Sequence, residues 1–497
     1  MSDQMTKDDK EAIVDVAETG SIAVGVIHEK TLDEDCVDQV EFTVEEEKAV
    51  LRKIDRHVLP LMCFIFFAQY LDKQSLTYTA VFGLKEDLKM AGNDYSWCST
   101  IFYIGQLGAN FVFAYLMTII PRAPLTGVCV VIWSLCCMCL AAPSTKEGFW
   151  VGRLFLGIFE AAVQPACILI TTYWYRKREQ PLRTAVYISM NALAQIIGCF
   201  IMYGIGRTNT GKVEDWRIMF LICGAISLVA GLLFYFFLPI SPKVAWFLTE
   251  REREIALKRI YEENDRSAIN KFEFEQLKEC LNFDWLFYSS FAFGFLVTVT
   301  SGPIIFQSLL LASFGYDKYQ SMKYGSPAGA IQLLFVWIGV LAVKLIPKER
   351  ALISMFLVCV PLTGTIMVLA LKQSSGWWVV AGSWLSSVIT CIMTILLSLI
   401  SSNVRGNTKK SLCSNAFFVG YCLAAIIYPQ WWLGTYRGGL IVTIIMWIIT
   451  MLLLVFYRFK AIYENKKKES MEFQTTQTIM KSDDLTDKAR VQHRYVY

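Results

Sequence analysis

Apolar residues occur along this chain in long uninterrupted runs separated by short polar segments. Twelve runs of about 20 residues are each long enough for a helix to cross the hydrocarbon core of a bilayer. They cover residues 58–80, 96–120, 123–142, 149–174, 184–206, 216–238, 284–312, 322–346, 350–371, 376–402, 411–432 and 437–457. The pattern predicts an all-α polytopic membrane protein with twelve transmembrane helices, embedded in a lipid bilayer.

A polar insert over residues 239–283 divides the twelve runs into two sets of six. We therefore expect two six-helix halves, over residues 43–238 and 284–457, with the insert as the linker between them. Charged tails flank the halves. We expect a disordered tail over residues 1–42 and a solvated tail over residues 458–497.

Two of the polar segments carry helix signals. Thr43 and Glu46 fit a capping box, and the apolar residues that follow at helical spacing predict a short amphipathic helix leading into the first run. Within the insert, the stretch TEREREIALKRIYEEN over residues 249–264 predicts a second surface helix.

The composition agrees with a membrane protein and excludes an ordinary soluble one. Of the 497 residues, 55% are apolar and 14% aromatic, and the mean hydropathy is +0.43. Most of the fifteen cysteines fall inside the apolar runs, where they act as small apolar residues, so we expect neither a disulfide framework nor a metal site. No nucleotide-binding fingerprint or zinc-protease motif occurs, and we expect no catalytic site.

Lysine and arginine are distributed unevenly over the polar connections. If the first tail is cytoplasmic, the cytoplasmic segments between about residues 52 and 468 carry 27 of them and the opposite loops carry 10. This asymmetry places both tails and the insert in the cytoplasm. The basic residues are too dispersed to favour nucleic-acid binding, and residues 1–42 lack the apolar core of a cleaved signal peptide.

Two charged residues interrupt the fourth run. Arg153 and Glu160 are seven positions apart and project from nearly the same helix face. An ionised side chain near the bilayer centre costs roughly 2.5–3.5 kcal/mol, so both should face a protein interior or a watery cavity. Arg153 suits a substrate carboxylate, and Glu160 suits reversible protonation because no histidine lies in the runs. The alternative is a structural role, with Glu160 held by Arg153 or Lys73.

The first run carries a second polar group. Asp72 and Lys73 are adjacent and lie about 100° apart around a helix, so they cannot point in one direction. Lys73 shares a face with Gln69 and Thr77, which favours ligand contact for Lys73 and Gln69. For Asp72 we expect a tie to a neighbouring helix, with proton coupling as the other candidate role.

Weaker candidates for a binding site lie elsewhere. Gln195 and Asn191 form one polar face of the fifth run, where substrate contact and bonding between helices are both possible functions. The second half offers three further candidates, Gln332, Trp384 and Tyr421.

Four stretches, in order, carry a family resemblance: RKIDRHVLPLMCFIFFAQYLDKQSLTYTAVFGLKEDL from residue 52, RLFLGIFEAAVQPACILITTYWYRKREQPLR from 153, WRIMFLICGAISLVAGLLFYFFLPISP from 216 and SSNVRGNTKKSLCSNAFFVGYCLAAIIYPQ from 401. They resemble the fungal allantoate permease branch of the anion:cation symporter family, within the major facilitator superfamily. The resemblance extends over residues 50 to 460.

This resemblance implies a proton-coupled importer of a small organic anion such as a ureide, vitamin, organic acid, small peptide or sulfur compound. Arg153 and Glu160 match the family's R-x-x-x-G-x-x-E pattern, in which arginine is associated with the substrate anion and glutamate with proton coupling. Lys73 matches a cationic position in the first helix. The proton would be the coupling ion, with no further cofactor, and we expect a monomer in the plasma membrane, with the vacuolar membrane less favoured.

Two further motifs are associated with the cytoplasmic ends of the helices. Glu179 and Arg183 match an E-x-x-x-R motif, and Asn403 and Lys409 belong to an N-x-x-G-x-T-K motif. The chain departs from the family over residues 116–127, where Arg122 alone remains of the usual basic residues. That departure leaves a second hypothesis open, a nutrient sensor of the same fold that transports weakly or not at all.

We predict from the charge asymmetry that tags at both tails face the cytoplasm. In intact cells, external protease should leave both tags uncut, and permeabilisation should expose both. Cleavage of either tag from outside would reverse the topology.

Overall fold

The computed structural model describes residues 42–176, 178–208, 213–261, 273–282, 284–371, 376–432, 436–472, 486–488 and 494–497. Twelve helices in these ranges are long and apolar enough to cross a membrane, which confirms the predicted fold class. They are α1 Val44–Val81, α2 Asp94–Ile119, α3 Arg122–Cys139, α4 Lys146–Trp174, α5 Gln180–Thr208, α6 Asp215–Phe237, α7 Trp285–Ile305, α8 Lys318–Leu345, α9 Arg350–Ala370, α10 Trp377–Asn403, α11 Asn407–Ile427 and α12 Tyr436–Glu472.

The outermost helices are longer than the apolar runs. Helix α1 begins at Val44, where Thr43 accepts a hydrogen bond from the backbone N–H of Glu46 and the Glu46 side chain accepts one from the backbone N–H of Thr43. The predicted capping box is therefore present, but the surface helix and the first span form one continuous helix. Helix α12 likewise continues beyond residue 457 to Glu472.

Three of the spans are interrupted, α4 and α10 near their middle and α7 near its C-terminal end. Helix α4 consists of Lys146–Glu160 and Val163–Trp174, and α10 consists of Trp377–Ser386 and Thr390–Asn403. The corresponding interruption of α7 separates Trp285–Val299 from Gly302–Ile305. Irregular backbone at membrane depth is tolerated where it is buried in protein or lines a cavity, so these three breaks point to the middle of the bundle.

Helix packing separates the bundle into two halves that meet along two helix pairs. In the first half α1 packs against α5 and α6, α2 against α4, and α3 against α6. In the second half α7 packs against α11, and α9 against α10 and α12. Contacts between the halves run along α5 with α8 and along α2 with α11.

The insert contains two helices that attach to different halves. The predicted surface helix is present as Glu250–Tyr261, and its Arg259 pairs with Glu47 and Glu179 of the first half. The second helix, Phe274–Leu281, is held to the start of α11. We call the end of the bundle that carries this insert the insert side and the opposite end the far side.

Part of the last tail contradicts the prediction that residues 458–497 are solvated. Asn465 and Lys468 are buried, Asp487 is fully buried, and Tyr495 is 3% exposed. The prediction was wrong because these residues bond one another and the insert-side ends of the second half, which the hydropathy of the segment does not reveal. We predict disorder for residues 1–42, of which 1–41 lie outside the described residues.

We predict different effects of one added methyl group on stability at two glycines of neighbouring helices. A Cβ at Gly157 would lie 2.1 Å from the backbone oxygen of Phe102, whereas a Cβ at Gly108 would have no atom within 4 Å. Overpacking costs about 1–3 kcal/mol, so Gly157→Ala should lower the apparent Tm in detergent by several degrees. Gly108→Ala, the matched control, should leave it unchanged or slightly raised because alanine favours helix. Equal Tm values would contradict the close α2–α4 approach.

Candidate functional site

A cavity of about 200 Å³ lies between the two halves. Its lining comes from α1, α2, α4 and α5 on one side and from α7, α10 and α11 on the other, and it includes Ser301 and Thr390 beside two of the helix breaks. Many of its side chains are aromatic: Phe66, Tyr70, Phe102, Tyr103, Tyr187, Tyr421 and Tyr428. Lys73 and Arg153 are the charged side chains of the described lining, and both are cations.

Hydrogen bonds between the halves close the far side of the cavity. Thr77 donates to the backbone oxygen of Ile305 at 2.6 Å, and Tyr319 donates to that of Gly206 at 2.7 Å. Ser96 and Thr100 of α2 donate to Pro429 and Ile426, each at 3.0 Å. Toward the insert side the lining reaches Thr184, close to the start of α5, and Ile168 is 50% exposed. The cavity therefore extends toward the insert side.

A buried ion pair joins α1 to α4 at the cavity wall. The ammonium nitrogen of Lys73 lies 3.0 Å from Oε1 of Glu160, and Gln69 donates to the same oxygen at 3.0 Å. Glu160 is fully buried, and its second oxygen, Oε2, has no hydrogen-bond partner among the described residues. The structure thus brings three of the predicted site residues together, and the partner of Glu160 is Lys73.

Arg153 lies near this pair but bonds differently. Its Nε donates to the backbone oxygen of Cys98 at 3.1 Å, and its guanidinium lies 4.8 Å from the centre of the Phe102 ring. Nη1 has no hydrogen-bond partner among the described residues. Arg153 is therefore oriented by α2, and one nitrogen of its donor fork is buried without a partner in the described part of the chain.

Phe102 is a site residue that the sequence analysis missed. Its ring faces both cations, with the Lys73 nitrogen 5.8 Å from the ring centre. A cation near an aromatic face gains about 0.5–2 kcal/mol, depending on desolvation, so one ring stabilises two charges contributed by different helices. No spacing pattern links α2 to α1 and α4, so the sequence held no signal for this contact.

Asp72 points away from the cavity, as its angular separation from Lys73 predicts. Its Oδ2 accepts a hydrogen bond from Trp133 Nε1 at 2.6 Å and another from Ser227 at 2.8 Å. These bonds tie α1 to α3 and α6. The placement favours the structural tie over proton coupling for Asp72.

The remaining candidates divide between the cavity and the helix contacts. Asn191 and Tyr421 belong to the described lining, whereas Gln195, Gln332 and Trp384 do not. Gln195 donates to Gln307 of the second half at 2.9 Å, which gives it a bond between the halves instead of a place at the cavity surface.

The predicted motif residues at the insert side bond to the insert, to the last tail or to α1. In the first half, Glu179 pairs with Arg259 at 2.6 Å and Arg183 with Asp55 at 2.8 Å. Glu252 lies in the same helix as Arg259. Burial opposes its ionisation, but hydrogen bonds from Lys53 and Thr249 hold the pKa of Glu252 below the usual range.

The two motif residues of the second half contact the last tail. Lys409 pairs with Asp284 at 2.6 Å and with Asp487 at 2.7 Å, and it is fully buried. Asn403 donates to the Tyr457 hydroxyl and to the backbone oxygen of Val496. Sequence analysis identified both positions but not their partners in the tail.

Comparisons with known proteins agree with this architecture. The family profile of the Major Facilitator Superfamily matches residues 62–429. An uncharacterised transporter of Schizosaccharomyces pombe is 34% identical, covering 92% of this chain and 89% of that protein. The allantoate permease of Saccharomyces cerevisiae is 30% identical, covering 92% of this chain and 88% of that protein.

Solved structures show the same fold at low sequence identity. A bacterial homologue of the human lysosomal transporter Spinster, in an inward-facing conformation, matches with a TM-score of 0.60 at 13% identity, covering 83% of this chain and 97% of that one. A D-xylose–proton symporter matches with a TM-score of 0.59 at 13% identity, covering 80% of this chain and 96% of that one.

Proposed function

Because this chain belongs to the major facilitator superfamily, we propose that it carries a small organic anion across the membrane together with a proton. Its resemblance to the allantoate permease branch is confirmed by the relatives, which are transporters and not enzymes. We propose three further points: the substrate is an organic anion, a proton is transported with it, and transport is directed inward.

The observation that carries the proposal is the charge of the cavity. Lys73 and Arg153 both line it, while Glu160, the carboxylate paired with Lys73, is buried behind them. With Glu160 ionised these three groups carry one net positive charge, and Arg153 keeps a free donor. A charge at this depth is expensive unless it is paired, so an anionic ligand complements the site. A cationic ligand would meet repulsion from both lining charges.

Proton coupling follows from competition for Lys73. While Glu160 is ionised, its carboxylate holds the Lys73 ammonium at 3.0 Å. Protonation of Glu160 removes that attraction and frees the ammonium for a substrate anion. Conversely, an anion that binds Lys73 removes the cation that stabilises the Glu160 carboxylate, which favours protonation of Glu160. Substrate binding and proton uptake therefore favour each other.

Alternating access requires the two ends of the cavity to open in turn. In this structure the far side is closed by bonds such as Thr77 with Ile305, and the cavity extends toward the insert side. If both tails are cytoplasmic, the structure represents the state that opens inward. Release of the far-side bonds would then admit substrate and proton from outside, which makes the chain an importer at the plasma membrane.

Uptake measurements test the function directly. Labelled organic anions are offered to a host cell that lacks related permeases and expresses this chain, with and without a protonophore. We expect accumulation above equilibrium that the protonophore abolishes. Normal surface expression without uptake of any tested anion would contradict transport and favour the nutrient-sensor hypothesis.

For anion recognition we predict that Arg153→Lys raises KM at least about tenfold, because hydrogen bonds to a charged group contribute about 1.5–3 kcal/mol and lysine lacks the planar fork. Arg153→Gln should raise KM further, because it also removes the charge. Surface expression of both variants serves as the control. Normal KM in both variants would exclude Arg153 from recognition.

For coupling we predict that Glu160→Gln abolishes proton-driven accumulation and its dependence on external pH, while substrate binding and exchange survive. The substitution imitates the protonated acid at nearly constant volume and leaves Lys73 free. Glu147→Gln, at an exposed glutamate in the first turn of the same helix, is the matched control and should behave as the parent does. Concentrative uptake with normal pH dependence in Glu160→Gln would place the proton site elsewhere.

A further inference from the structure

Two asparagines at the insert side of the second half bind the backbone of two consecutive residues of the last tail. Asn465 donates to the backbone oxygen of Tyr495 at 2.9 Å and accepts from the backbone N–H of Tyr495 at 2.8 Å. Asn403 forms the same two bonds with Val496, both at 2.7 Å. Each amide side chain thus satisfies both polar backbone groups of one residue, which is how a protein binds an extended peptide.

The side chain of Tyr495 anchors this peptide. It is 3% exposed, its ring centre lies 5.6 Å from that of Trp285, and the Lys468 nitrogen lies 4.3 Å from its ring centre. Its hydroxyl donates to Asp487 at 2.8 Å. A buried tyrosine with a satisfied hydroxyl is a typical interface anchor.

Charge complementarity fixes the other end of the segment. The fully buried Asp487 pairs with Lys409, and the Lys468 ammonium donates to the Asp487 backbone oxygen. Lys409 also pairs with Asp284 and with Glu279 of the insert. Burying Asp487 without this lysine would leave an unpaired charge, which is strongly destabilising.

The segment therefore contacts the insert-side ends of most helices of the second half. Asn403 ends α10, Lys409 lies in the first turn of α11, Asp284 precedes α7, and Asn465 lies on α12. The backbone N–H of Tyr497 donates to the backbone oxygen of Lys348, which lies between α8 and α9. Residues 403–409 comprise the last residue of α10, the connection and the start of α11, and we call them the α10–α11 tip.

The occupant of this face is supplied by the same chain. Lys468, near the end of α12, touches Asp487, so the chain returns to the helix that it has just left. The thirteen residues 473–485 could span on the order of 40 Å when extended, which is ample for that return.

We propose that this face is a peptide-binding site for residues 486–488 and 494–497 of the same chain, and that the docked segment restrains the α10–α11 tip and thereby controls closing of the insert side. The second part rests on the proposed transport function. Helix α10 lines the cavity as far as Leu397, close to this tip, so closing the insert side must bring the tip toward the first half. A bound segment shifts that equilibrium if it binds the open arrangement more tightly than the closed one.

Hydrogen exchange of the full chain tests the docking. Val496→Pro removes the backbone N–H that Asn403 accepts, whereas Val496→Ala keeps it and is the matched control. Asn465→Ala removes the other amide from the receiving side. We expect slow exchange at the Tyr495 amide in the parent and in Val496→Ala, and at least tenfold faster exchange in the other two variants, together with faster exchange over residues 403–410.

Rapid exchange at Tyr495 in the parent would overturn the proposal, and so would an unchanged α10–α11 tip after the segment has been released. Protection that disappears on dilution of the protein would mean that a second copy supplies the segment, which also contradicts docking within one chain.

Uptake kinetics test the control of closing. We expect the maximal uptake rate of Val496→Pro to differ at least twofold from that of Val496→Ala at equal surface expression, with KM unchanged, because the segment does not line the cavity. If the two variants differ in docking of the segment but have equal maximal uptake rates, the segment does not control closing of the insert side. Absence of uptake in every variant, the parent included, would instead contradict the proposed transport, while the exchange measurements would still decide the docking.

Discussion

The ion pair between Lys73 and Glu160 is the interaction on which the cavity depends. Two charges are placed at membrane depth, where each alone would be costly, and their attraction makes the arrangement stable. Three neighbouring side chains are arranged around this pair. Gln69 donates to the carboxylate, Phe102 faces the ammonium, and Arg153 is held by α2 at a distance that leaves its fork incompletely bonded. In the proposed mechanism this pair is also the point of exchange, where a proton or a substrate anion replaces one partner. One contact thus serves both stability and function.

The wider fold supplies what this pair needs. The breaks in α4, α7 and α10 bring irregular backbone to the cavity, and the far-side bonds between the halves exclude water from one end. At the opposite end each half is fastened separately, the first by Arg259 of the insert and the second by Lys409 with the returning tail. The insert is attached to both halves. Its helix Glu250–Tyr261 is bonded to the first half and its helix Phe274–Leu281 to the second.

Much of this architecture could be predicted from the sequence, because apolar runs report membrane spans directly and a charge within such a run must face the interior. Arg153, Glu160 and Lys73 were found in this way, and so was the divergence of Asp72 from Lys73. Contacts between helices far apart in sequence could not be found. Nothing in the spacing of Phe102, Trp133 or Ser227 indicates that each would meet a charged residue of another helix. The docked tail was missed for a related reason. Its polar composition is that of a solvated segment, and its burial depends on complementary groups on four separate helices.

The bonds from Trp133 and Ser227 to Asp72 have a consequence for the timing of events in the cavity. They fix the backbone of α1 at the position next to Lys73, so the ammonium can change partner only by rotation about the bonds of its own flexible stem. Rotamer changes of exposed side chains take picoseconds to nanoseconds and are slower within packed surroundings, while collective motions of domains take microseconds to milliseconds. The exchange of partners at Lys73 can therefore reach equilibrium many times before the halves move once. In the proposed transport cycle, the halves then respond to the average occupancy of the site and not to single encounters with an ion.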